Sequence, residues 1–158
     1  DKFIPSCAEN VDVDIHVLGR HVILNIWDIR VQEEFNIRYA AKMRDATVAI
    51  VCFGINDTAS IHAVEAKWFP EVKHYTTAPI ILVGCKSDIR ERSEKTKRCI
   101  STEEGRNMAS LIGAEIYLEC SAFTGEGVED VFNHAARLSI RRTSALKKAQ
   151  SRDGRVIF

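Results

Sequence analysis

A chain of 158 residues is sized for one domain with a real hydrophobic core. Its apolar share of 46% and charged share of 28% are those of a soluble globular protein, and they exclude a disordered or fibrous chain. A formal net charge of zero excludes a chain-wide attraction to nucleic acid or to a membrane surface. The five cysteines, Cys7, Cys52, Cys85, Cys99 and Cys120, are scattered and contain no C-x-x-C, which suits reduced thiols in a cytosolic protein rather than a disulfide frame or a zinc site. His16, His21, His62, His74 and His134 lack metal-ligand spacing. No apolar run reaches membrane-spanning length, and no signal peptide is visible.

Phe3 to Asn10 reads as loop. Val11, Val13, Ile15 and Val17 alternate with polar residues and predict a half-buried strand. Leu18 to His21 turns the chain, and Val22 to Trp27 returns as the second strand of an antiparallel hairpin. Ile29 to Gln32 is irregular, and Glu33 to Arg44 is a short helix. Thr47 to Phe53 is a continuous apolar strand. Asn56, Asp57, Thr58 and Ser60 offer N-caps for a helix over Ile61 to His74, in which Pro70 forces a kink or break.

Pro79 to Cys85 is apolar and rich in β-branched residues, the pattern of a strand buried on both faces of a parallel sheet. Ligands of such sheets bind beyond the carboxyl ends of the strands, which is where Lys86 and Asp88 fall. Ile89 to Ile100 is a charged excursion. Ser101 or Thr102 caps a helix that runs to Ile112 and stops at Gly113. Ile116 to Cys120 is another strand. Gly125 and Gly127 precede an amphipathic helix from Val128 to about Arg141, with Val128, Val131, Phe132 and Ala135 on its buried side. Residues 142–158 read as a basic, flexible tail. Strands alternating with helices imply a mostly parallel sheet covered on both faces.

Cys85-Lys86-Ser87-Asp88 resembles the guanine-reading Asn-Lys-x-Asp motif of Ras-like small GTPases, with Cys in place of Asn. The wider pattern resembles the Rho family of these proteins. Lys67 to His74 with Pro79 to Gly84 is close to the family's third helix and fifth strand. Glu103 to Ala109 with Ile112-Gly113-Ala114 matches the next helix, and Tyr117 to Ala122 matches the last strand and its Ser-Ala-Lys motif. The resemblance runs from Phe3 to about Ile140. It implies a small-GTPase-like α/β fold of the P-loop NTPase type, lacking its first strand and first helix, over residues 1–141. It also implies a GTP/GDP ligand with Mg2+, and effector or regulator proteins as partners of the switch regions.

Carried over residue by residue, the resemblance makes Lys86, Asp88, Ser121, Ala122 and Phe123 the base-binding set. Ser6 and Asp28 become the magnesium residues, and Gln32 orients the attacking water. The departures are equally specific. No G-x-x-x-x-G-K-S/T phosphate loop occurs in the 158 residues. Ser6 stands for the family's Thr. Val31 stands for the Gly of Asp-x-x-Gly, and Arg30 adds a charge there. Cys85 cannot make the hydrogen bonds of an amide, and Phe123 replaces the Lys of Ser-Ala-Lys. For Asp28 and Gln32 a relic reading stands beside the functional one. For Lys86 and Asp88 nucleotide contact and relic stand level.

Three readings follow: a Rho-like GTPase whose N-terminal piece is absent from this sequence; a pseudo-GTPase that keeps the fold as a binding scaffold; and a damaged product with two unpaired strand edges. In the third, Arg155 to Phe158 is a candidate for filling the gap in the sheet. The expected location is cytoplasmic, with at most transient membrane contact through the basic tail and no contact with nucleic acid.

Overall fold

The computed structural model describes residues 9–29, 37–92 and 98–152. Strand β1 (Glu9–Val17) and strand β2 (Arg20–Asp28) form the expected antiparallel hairpin, in register from Glu9 opposite Asp28 to Val17 opposite Arg20. Leu18 and Gly19 make the turn with φ of 53° and 68°. Two successive positive φ values match the right-handed twist of the flanking strands. Gly19 adopts that conformation without strain, whereas Leu18 does so against its side chain.

A second sheet is parallel and three-stranded. Strand β3 (Ala49–Gly54), strand β4 (Ile80–Cys85) and strand β5 (Ile116–Cys120) lie in that order, with β4 in the centre. Ile80 to Gly84 are buried, as the uninterrupted apolar pattern requires of a strand covered on both faces. Alternate residues of β4 serve different layers. Ile80 and Leu82 join Val51, Phe53, Val72, Ala109 and Ile112 on one face. Ile81 and Val83 meet Val131 and Ala135 on the other. Among the described residues the hairpin and the parallel sheet share no ladder, so β2 and β3 do not pair directly. Helix α1 (Ile37–Asp45) links them, and its Lys42 ammonium sits 4.2 Å from the centre of the Trp27 ring.

At Pro70 the regular helix is interrupted by a change of helical type. Helix α2 (Thr58–Ala63), capped by the Asp57 carboxylate, widens into a π-helical turn at Val64–Trp68 and re-tightens as helix α3 (Phe69–Tyr75). The Phe69 N–H reaches back five residues to the Val64 carbonyl. The wider turn makes room for the proline ring, which falls at the start of α3, where a missing N–H costs least.

Helix α4 (Ile89–Arg92) is a single turn within the charged excursion. Helix α5 (Thr102–Leu111) starts at Ser101, whose hydroxyl accepts from the Glu104 N–H at 3.1 Å. The Glu104 carboxylate accepts in return from the Ser101 N–H at 2.8 Å. Ser101→Ala should therefore cost about 1 kcal/mol in a urea denaturation, since one N-terminal N–H loses its acceptor; an unchanged midpoint would refute this.

The Ser101 N–H, followed by Arg98 at 2.8 Å, holds the Glu104 carboxyl down at about 2. Its folded value lies below the unfolded one of about 4.3. The carboxylate's contribution is therefore complete above that value and fades as pH falls toward 2. An acid titration of stability should show Glu104→Gln and the parent chain converging in that window.

The last helix corrects the sequence reading. Helix α6 (Val128–Arg152) continues well past Arg141, so the expected flexible tail is helical up to Arg152. Thr143 to Gln150 contains no Gly or Pro, and Ala145 to Gln150 are strong helix formers, so nothing local stops a helix already anchored on the sheet. Arg142 also ties this stretch back, donating to the Thr77 carbonyl at 2.6 Å. The proposed gap-filling run at Arg155 to Phe158 lies outside the described residues.

Candidate functional site: the loops at the carboxyl end of the parallel sheet

The loop after β4 and the loop after β5 are joined side by side. Ser87 donates its N–H to the Cys120 carbonyl at 3.1 Å. Lys86 has a positive φ of 66°, which turns the chain sharply off the strand and leaves its side chain exposed. The Ser121 hydroxyl donates to Asp88 Oδ1 at 2.5 Å and accepts from the Thr124 N–H at 3.2 Å. Ser121 is fully buried, and its backbone is held by Glu126 on one side and Gly125 on the other. A hydroxyl so occupied has one geometry, and it fixes the Asp88 carboxylate in turn.

Ala122 and Phe123 follow on the surface, with Phe123 76% exposed. Lys86, Asp88, Ser121, Ala122 and Phe123 thus come together at the carboxyl end of the sheet, with the acid held by the serine and an aromatic ring beside them. The fixed carboxylate and the exposed ring suit a flat heteroaromatic base with paired N–H donors.

Beneath this corner lies a brace that sequence reasoning missed. Arg90 forks onto the Glu119 carboxylate at 2.5 and 2.7 Å and also donates to the Ile100 carbonyl. Tyr117 donates its hydroxyl to the same carboxylate at 2.7 Å. Burial opposes charge on Glu119, but the Arg90 and Tyr117 donors outweigh it and hold the carboxyl below its usual value. Burial, then the bond to Glu119, raises the Tyr117 phenol. The sequence carries no signal for this network, because Arg90 is 29 residues from Glu119 and reaches it only through the tertiary fold, although Tyr117 and Glu119 share β5.

The residues expected at the metal are less completely described. Asp28 ends β2 and is exposed. Ser6 and Gln32 lie outside the described residues. Among the described residues no three His, Cys, Asp or Glu side chains gather as a metal site. Of the residues that would hold magnesium, Asp28 alone is described, so the fit of a metal rests on that one carboxylate.

Residues 1–141 match the Ras family model. The chain belongs to the Ras family. Within that family it is a Rho-like small GTPase signalling domain. It is similar to the GTP-binding protein RHO1 of Candida albicans, with 40% identity over 149 residues, spanning 89% of this chain and 75% of the relative. It is similar also to two proteins of Schizosaccharomyces pombe. The GTP-binding protein rho1 is 38% identical over 159 residues, covering 96% of this chain and 79% of the relative. The GTP-binding protein rho5 is 40% identical over 148 residues, covering 89% and 74%.

Three thiols crowd the inner edge of that corner. Cys85 stands opposite Cys120 in the β4–β5 register, and Cys52 lies diagonally from Cys85 across β3 and β4. The side-chain hydrogen bond from Cys85 lowers the Cys52 thiol, against burial and the fields of Cys120 and Asp28. The same bond, with burial, drives Cys85 upward. Burial, then Cys85, pushes Cys120 up to about 11. In the sequence these cysteines are scattered, and only the register makes them neighbours.

Proposed function

We propose that this Rho-like domain keeps a guanine-reading corner but grips nucleotide weakly in its 158 residues, and that it works chiefly as a protein-binding scaffold. The supporting observation is the Ser121–Asp88 hydrogen bond, which holds a base-recognition carboxylate in place although the sequence offers no phosphate-loop motif. In such sites the phosphates and their metal supply most of the grip, so a base reader alone gives little affinity. Cys85 in place of Asn and Val31 in place of Gly weaken the same site from both sides. GTP or GDP with Mg2+ is the ligand class. Lys86, Asp88, Ser121, Ala122 and Phe123 would face the base, and Asp28 with Ser6 the metal. Gln32 would orient water, with hydrolysis undetectable in this chain.

Titration of a fluorescent GTP analogue, with and without magnesium, tests the reading. Weak binding that is indifferent to magnesium is the expected result, and submicromolar, magnesium-dependent binding overturns it. Effectors and regulators would meet Ile4 to Asn10 and the helix after Asp28. Their capture should be equal with and without nucleotide; nucleotide-dependent capture argues against the scaffold.

The names of the relatives, which call each a GTP-binding protein, favour a second reading in which this domain binds GTP. A phosphate loop encoded upstream of Asp1 would restore it. No helix among the described residues is long and apolar enough to cross a membrane. A cytoplasmic location, with passing contact between the basic α6 end and anionic lipid, fits that arrangement.

A further inference from the structure

We propose that Cys52 and Cys85 form a peroxide-sensitive dithiol that closes to a disulfide and ties β3 to β4 beside the base-reading loop. Cys52, Val83, Cys85, Leu118 and Cys120 all point to one face of the parallel sheet, because paired residues of parallel strands share a face and alternate residues return to it. Cys85 stands directly opposite Cys120, and Cys52 lies one diagonal step from Cys85 on the same face. All three are free thiols, and Cys52 is exposed.

The roles follow from the surroundings. Cys52 is the most exposed residue of the three and the one whose thiolate is favoured, which makes it the nucleophile. Its sulfur attacks one oxygen of a hydroperoxide, the O–O bond breaks, and the product is a sulfenic acid with release of water or an alcohol. The Cys85 sulfur, on the same face of the neighbouring strand, then attacks the sulfenic sulfur; its proton leaves with the displaced hydroxide as a second water. Two thiols are oxidised by two electrons and one peroxide is reduced, so the step balances.

The bond that forms is strained. Residues two positions out of register on neighbouring strands have Cα atoms roughly 7–8 Å apart. A disulfide prefers about 4.4–6.8 Å, so closure must draw the strand ends together. Strained disulfides are readily reduced, which suits a reversible modification. The strap would sit directly before Lys86 and Asp88. This inference does not depend on nucleotide binding.

The test is peptide mapping of the whole chain. The protein is reduced, exposed to equimolar hydrogen peroxide, alkylated and digested with trypsin, which leaves Cys52, Cys85, Cys99 and Cys120 on separate peptides. The expected product links the Cys52 and Cys85 peptides and is reversed by dithiothreitol. Cys120→Ser should keep that link. Cys85→Ser should leave Cys52 as a sulfenic acid trapped by dimedone. Cys52→Ser should slow the loss of the Cys85 thiol about tenfold or more. A Cys85–Cys120 link, a link between chains, or oxidation of Cys99 with Cys52 and Cys85 both still alkylatable overturns the proposal. The unmutated chain decides the question, so it survives a variant that fails to fold.

Discussion

Leu82→Ala should lower the free energy of unfolding by about 2–5 kcal/mol, read from the urea midpoint at constant slope. Leu82 is fully buried at the middle of the central strand. It packs in the cluster that contains Phe53, Val72, Ala109 and Ile112. Truncation removes the transfer free energy of the lost methyl groups and leaves a cavity, because neighbours on both flanking strands are held in register and cannot collapse inward. Domains of this size are stable by only about 5–15 kcal/mol, so the variant loses a large fraction of its reserve. The control is Leu146→Ala on the exposed side of α6, which should stay within about 0.5 kcal/mol. Equal effects at the two positions would mean that β4 is not the centre of the core.

Gly127→Ala is expected to be nearly as damaging, by about 2–5 kcal/mol, and it reaches the candidate site. Gly127 has a φ of 71°, where an alanine is already strained. A Cβ there would also stand 2.2 Å from the Glu119 carbonyl oxygen and 3.2 Å from the Cys120 Cα. Both are backbone atoms of β5, so no side-chain rotation relieves the overlap. The 121–127 turn must shift, and with it the bond from the Ser121 N–H to the Glu126 carbonyl.

Gly125→Ala separates strain from clash. Its φ is 81°, but nothing lies within 4 Å of the added carbon, so strain alone remains, about 1–2 kcal/mol. Chemical denaturation of the two variants, with amide exchange of Thr124 as a local reporter, checks both parts. If Gly127→Ala is no worse than Gly125→Ala, the close approach of this turn to β5 is wrong.

The elements were legible wherever the local pattern and the tertiary demand agreed. The apolar run from Ile80 to Gly84 can only be a strand covered on both faces, and it is. Ser101 with Glu104 is a capping pair visible in four residues, and Gly113 with its φ of 64° stops the helix as its type suggests. Where local pattern was ambiguous, the reading erred. The polar stretch after Arg141 looked like a tail because its composition is basic, yet helix propensity and the anchor on Thr77 carry α6 to Arg152. The interruption expected of Pro70 is present, and it takes the form of a π-turn before the proline.

By itself the sequence determined the order of strands and helices, the central buried strand, and the positions of Lys86, Asp88 and Ser121 at strand ends, because period, caps and β-branched runs are written locally along the chain. Tertiary structure decided what those residues touch. The Ser121–Asp88 bond and the Arg90–Glu119 fork join residues 33 and 29 positions apart, and the Cys52–Cys85–Cys120 row spans three strands, so only the packing of neighbouring strands and their loops brings these residues together.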